Sequence, residues 1–107
     1  MTNSQTVIEK RKHPRKSLHP PISVRYGDGT VLTGVCSDIS LGGAFVEVTR
    51  VEPFGAKVTA LLRLPGIEKD VEVESTVRWT TPRGMGLQFG LMGARETHAI
   101  VSLLSSE

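Results

Sequence analysis

The sequence predicts a mainly β protein, a six-stranded antiparallel barrel followed by one C-terminal α-helix. Three observations predict it: short segments of β-type alternation at close spacing, Gly- and Pro-rich turns between them, and helical spacing only near the end. The length of 107 residues suits a single hydrophobic core, and the apolar fraction of 38% is enough to fill a small barrel. No apolar run approaches the ~20 residues needed to span a bilayer, so no membrane insertion is expected.

The elements follow in order. Residues 1–10 are polar and unpatterned, which predicts a disordered N-terminus. Residues 11–21 form a basic arm in which Pro14, Pro20 and Pro21 oppose a long helix. The barrel is expected over residues 22–90. Its first strand alternates Ile22, Val24 and Tyr26 with Ser23 and Arg25, and Gly27-Asp28-Gly29 reads as a hairpin turn. Thr30 to Cys36 resume the strand, and the Asp38–Gly43 segment closes it. Ala44, Val46 and Val48 then alternate with Phe45, Glu47 and Thr49.

Pro53-Phe54-Gly55 turns the chain into the apolar stretch Val58–Leu64, which Pro65-Gly66 ends. The clearest alternation sets Val71, Val73, Ser75, Val77 and Trp79 against Glu72, Glu74, Thr76, Arg78 and Thr80, so one face is buried and the other wet. Thr81-Pro82-Arg83-Gly84 leads into Met85, Leu87 and Phe89. Trp79 and Phe89 are read as core residues. In the helix, predicted over 93–105, Thr97, Ile100, Val101, Leu103 and Leu104 recur at helical spacing. So short a helix needs packing against the sheet or a partner.

The net charge of +2 conceals a division. Lys10, Arg11, Lys12, Arg15 and Lys16 against Glu9 give residues 1–16 a balance of +4, which leaves the body near −2. Positive charge confined to an arm argues against a surface built to lie along nucleic acid. The aromatic residues Tyr26, Phe45, Phe54, Trp79 and Phe89 fall mostly at inward or turn positions, which also disfavours stacking on single-stranded RNA or DNA. Cys36 is the only cysteine, so no internal disulfide forms, and a small core role in a reducing cytoplasm is expected. No apolar h-region follows the N-terminal charges, so a secretory leader is not expected. His13, His19 and His98 lack metal-ligand spacing, and no nucleophile–base set or paired-carboxylate site stands out. The reading is a non-enzyme without metal or cofactor, against a nucleotide phosphohydrolase.

Two polar clusters carry the chemistry. Arg11-x-x-x-Arg15 supplies planar guanidinium groups suited to phosphate oxygens or the O6/N7 edge of guanine. Asp38-x-Ser40-x-x-Gly43 supplies a carboxylate for guanine N1–H and its exocyclic amine, a hydroxyl, and a turn. There Gly42-Gly43 permits positive φ and close backbone approach. A carboxylate repels phosphate, so Asp38 points to a base rich in donors. Taken singly, each cluster also fits a solvated basic terminus or a local Asx turn.

With these two motifs and the later Val77-Arg78-Trp79 … Gly84-Met85-Gly86-Leu87-Gln88-Phe89 stretch, the chain resembles the PilZ domain family of bacterial cyclic di-GMP receptors. The resemblance runs from about Arg11 to the terminal helix and implies a PilZ domain over residues 11–107, a basic arm and a six-stranded antiparallel barrel with a C-terminal helix. It implies that Arg11 and Arg15 bind guanine and phosphate and that Asp38, Ser40 and Gly43 contact the ligand; Gly42, in the same turn, is a further candidate contact, and Lys10, Lys12 and Lys16 are candidate phosphate contacts. Lys10 stands where the family's residue influences whether one or two ligand molecules bind. A receptor of this kind would use its ligand to order the arm against the Asp38–Gly43 turn. The changed surface would be read by a downstream protein partner in motility, biofilm or exopolysaccharide control. The alternative is a PilZ-like adaptor acting through protein contacts without nucleotide.

Overall fold

The structure, a computed structural model, describes residues 20–64 and 69–105. Six strands and a helix follow in order: β1 (Pro21–Arg25), β2 (Val31–Ser40), β3 (Gly43–Glu47), β4 (Lys57–Leu62), β5 (Val71–Thr81), β6 (Gly84–Phe89) and α1 (Ala94–Ser105). All neighbours pair antiparallel in the order β1-β2-β3-β6-β5-β4, and β1 pairs back to β4 through Ile22↔Leu62 and Val24↔Ala60. The described strands therefore close into a barrel in which each strand has a partner on both sides.

Alternation builds the interior. Ile22, Val24, Val46, Ala60, Leu62, Val73, Val77, Met85 and Leu87 are each at most 3% exposed. Burying a valine or leucine side chain contributes about 1.5–3 kcal/mol, so this row dominates stability. Ser75, an inward hydroxyl in the same row, donates to the carbonyl of Val73 at 3.0 Å. The outward Glu72 and Glu74 are exposed, and Phe89 and Cys36 are core residues as expected.

Turn chemistry fixes the hairpins. Gly29 takes φ 91°, Tyr26 and Thr30 close the β1–β2 turn with an N–H···O bond of 2.8 Å, and Asp28 Oδ1 accepts from the Thr30 N–H at 3.0 Å. Gly55 takes φ 88° in the Pro53–Gly55 turn. At the mouth of the β1–β2 hairpin, Arg50 pairs with Asp28 at 3.0 Å and Glu52 at 2.9 Å, and lies 4.3 Å from the Tyr26 ring centroid. The Tyr26 hydroxyl donates to the Arg50 carbonyl at 2.5 Å.

The helix buries Ala99, Ile100 and Leu103 in the same core cluster as the barrel interior. Val101, expected on that face, is 41% exposed, because one residue along a helix turns the side chain about 100° away. Among the described residues no helix is long and apolar enough to cross a membrane.

Two irregularities alter the expected pattern. The Asp38–Ser40 segment does not close β2; it continues it, and the turn is confined to Leu41-Gly42. Trp79 is not a core residue but is 52% exposed. Both differences have one cause. β2 carries an extra residue between Cys36 and Asp38, and β5 carries one between Val77 and Trp79. A bulge of one residue inverts the facing of everything beyond it.

Candidate functional site

The two bulges build the candidate site. Along β2, Cys36 points inward, and unbroken alternation would bury Asp38 as well. The extra Ser37 turns Asp38 and Ser40 outward and puts Ile39, 1% exposed, into the core. On β5 the extra Arg78 turns Trp79 outward in the same way. β3 and β6 run between these strands without irregularity.

Register then sets two outward rows across β2, β3, β6 and β5. The first is Asp38, Phe45, Gly86 and Trp79. The second is Ser40, Gly43, Gln88 and Thr76. Each row contains one glycine. A Cβ on Gly86 would collide with the Trp79 ring, so the indole occupies the space that a side chain would fill. From there it stacks toward Phe45, with ring centroids 6.4 Å apart and planes at 20°. A Cβ on Gly43 would strike the Leu87 carbonyl oxygen, so this glycine lets β3 approach β6 and leaves backbone open between Ser40 and Gln88.

The result is a groove of about 450 Å³ lined by Asp38, Ser40, Gly42, Gly43, Arg78, Trp79 and Gln88, with Phe45 in its floor. That size falls in the ~300–1,000 Å³ range of small-molecule sites. One side offers a carboxylate and a hydroxyl, the other an aromatic plane and a guanidinium. Ser40 Oγ donates to the Gly43 carbonyl at 3.4 Å and accepts from the Gly42 N–H at 3.3 Å. Both bonds are long, so a ligand can compete for the hydroxyl. The Gly42 carbonyl accepts from the Phe89 N–H at 2.9 Å, which ties the turn to β6.

Behind the groove, Cys36 Sγ donates to the Asp38 carbonyl at 3.5 Å and braces the β2 bulge. Burial pushes its thiol up to about 11, which keeps it neutral and unreactive.

Asp38, Ser40, Gly42 and Gly43, singled out in the sequence, are brought together here. Close approach holds at Gly43, whereas positive φ does not; among the described residues the glycines with positive φ are Gly29 and Gly55. Arg11, Arg15, Lys10, Lys12 and Lys16 lie outside the described residues. Sequence reasoning missed Phe45, Arg78, Trp79 and Gln88 as site residues. The Val77-Arg78-Trp79 stretch was visible, but nothing in it announces a bulge. Tyr26 and Phe89 point inward and Phe54 lies in a turn, as expected, whereas Trp79 is outward and forms an aromatic platform with Phe45 inside this groove.

The PilZ domain model matches residues 9–106. No curated protein matches the chain. Among solved structures, the PilZ domain of CeSA from a cellulose-synthesizing bacterium superposes with a TM-score of 0.65 at 20% identity, over 85% of this chain and 94% of that one. The Bacillus subtilis inhibitor of motility gives a TM-score of 0.70 at 21% identity, over 88% of this chain. The Borreliella burgdorferi PlzA protein in complex with c-di-GMP gives 0.66 at 13% identity, over 94% of this chain. The chain spans 49% and 43% of the length of the last two.

Proposed function

The chain belongs to the PilZ domain family, and from that premise we propose that it is a receptor for cyclic di-GMP that binds in the groove between β2 and β5. The observation that carries the reading is the row Asp38–Phe45–Gly86–Trp79. It sets a carboxylate acceptor beside an aromatic plane, and guanine has both the N1–H and amine donors for the first and a flat face for the second. The c-di-GMP complex of the Borreliella protein, which has the same fold, supports the same ligand.

In this reading Asp38 takes the guanine donors and Ser40 a base or phosphate oxygen. Open backbone at Gly42 and Gly43 admits the ligand closely. Arg11 and Arg15 bring guanidinium forks from the arm to phosphate and the guanine O6/N7 edge, assisted by Lys10, Lys12 and Lys16. Binding neutralises the +4 arm and orders it against the Leu41-Gly42 turn. The reshaped surface is the output, read by a downstream protein. The regulated process is motility, biofilm or exopolysaccharide control.

Isothermal titration calorimetry of cyclic di-GMP into the folded protein tests the reading, with GTP, GMP and cyclic di-AMP as controls. Selective micromolar or tighter binding, lost in Arg15→Ala and Asp38→Ala, is expected, with the nucleotide recovered intact. No heat from folded protein at high ligand concentration would overturn the receptor reading and favour the adaptor.

A further inference from the structure

Arg78 is the residue that the β5 bulge adds, and it lines the groove on the wall farthest from Asp38. The arginines elsewhere on the barrel strands are committed: Arg25 pairs with Glu72 at 2.9 Å, and just past β4 Arg63 pairs with Asp70 at 2.9 Å. Among the described residues no carboxylate pairs with Arg78. Its guanidinium carbon instead lies 5.5 Å from the centroid of the Phe54 ring, which is itself 68% exposed. An aromatic face holds a guanidinium in place without using its in-plane N–H donors.

Phe54 owes its position to backbone bonds beside the bulge. The Gly55 N–H donates to the Val77 carbonyl at 2.8 Å, and the Val77 N–H donates to the Ala56 carbonyl at 2.9 Å. The turn carrying Phe54 is therefore laced to the residue that precedes Arg78. Charge also divides the groove. Asp38 and Arg78 stand three strands apart, about 14 Å along the sheet. An anionic group is attracted at the Arg78 end.

We propose that Arg78 is an anion-binding residue of this groove, contacting a phosphate of the bound nucleotide on the wall opposite Asp38, with Phe54 as its positioning residue. This inference rests on the receptor reading. It gives the folded barrel a phosphate contact of its own, separate from the arm.

Cyclic di-GMP titrations of the full chain at low and moderate salt test it. Arg78→Gln is expected to weaken binding about tenfold, as loss of one charged hydrogen-bonding group does, and to flatten the salt dependence. Arg78→Lys should retain part of both. Phe54→Ala should weaken binding a few-fold, Phe54→Tyr should keep wild-type affinity, and Phe54→Ala should add nothing in the Arg78→Gln background. Arg78→Gln binding as tightly as wild type, with the same salt slope, overturns the inference and leaves the receptor reading standing. Equal weakening by Phe54→Ala in both backgrounds overturns the positioning role. A wild-type protein that binds no cyclic di-GMP removes the receptor reading and this inference together.

Discussion

Replacing Gly43 with alanine drives a methyl group into the carbonyl oxygen of Leu87, with the Leu87 carbonyl carbon at 3.2 Å and Gln88 Cα at 3.3 Å. All three obstacles are backbone, so no rotamer change relieves the clash. β3 must move from β6 by on the order of 1 Å, enough to carry N–H···O bonds of about 2.9 Å beyond their useful range. Losing one or two ladder bonds and overpacking the seam costs about 1–3 kcal/mol. For a domain of this size that lowers Tm by roughly 5–15 °C. Gly42→Ala is the internal control: its Cβ meets nothing within 4 Å, and its φ is not positive. Thermal unfolding followed by circular dichroism distinguishes the two variants. A Gly43→Ala protein melting within about 2 °C of wild type, below the smallest shift expected from 1 kcal/mol, would refute the close-approach argument. So would a Gly42→Ala protein destabilised as strongly.

Two further outcomes follow from the barrel's charges and its thiol. The Thr30 backbone N–H, with help from the Thr30 side chain and Arg50, lowers the Asp28 carboxyl from 3.8 to about 2. Its stabilisation is thus complete above the unfolded value and lost as pH falls toward 2; Tm measured from pH 5 to pH 2 should fall less steeply in Asp28→Asn, and parallel curves would contradict this. Cys36, fully buried and with its thiol raised to about 11, should resist alkylation at pH 8 in native protein and react once denaturant unfolds the barrel. Rapid labelling without denaturant would contradict the buried, bonded position given to it.

The barrel was legible because alternation is a direct record of which side faces the core. Val71, Val73, Ser75 and Val77 announce β5, and Gly27-Asp28-Gly29 announces the first turn. The acceptor half of the site was legible too, since Asp38, Ser40 and Gly43 stand in one short segment. The other half was hidden by the same rule that revealed the strands. Alternation carried past Val77 buries Trp79, and only an inserted residue reverses it. A bulge is a property of pairing between strands, and Leu87 and Gly86, which define it, lie in a different strand. Nothing in the sequence around Gly86 marks its role, which is to leave room for an indole from β5. Val101 was misplaced for a simpler reason: an apolar residue beside Ile100 looks periodic in a short helix until its packing is known.

Trp79 is the only tryptophan in the chain and stands in the groove, so its fluorescence reports on this site alone. Titration with cyclic di-GMP tests most directly the claim that the ligand lies between Asp38 and Trp79. The account predicts a saturable change in Trp79 emission at the concentrations that give calorimetric heat, absent with GMP and cyclic di-AMP and abolished in Asp38→Ala. Calorimetric binding that leaves Trp79 emission unchanged would contradict it and move the ligand to another face of the barrel.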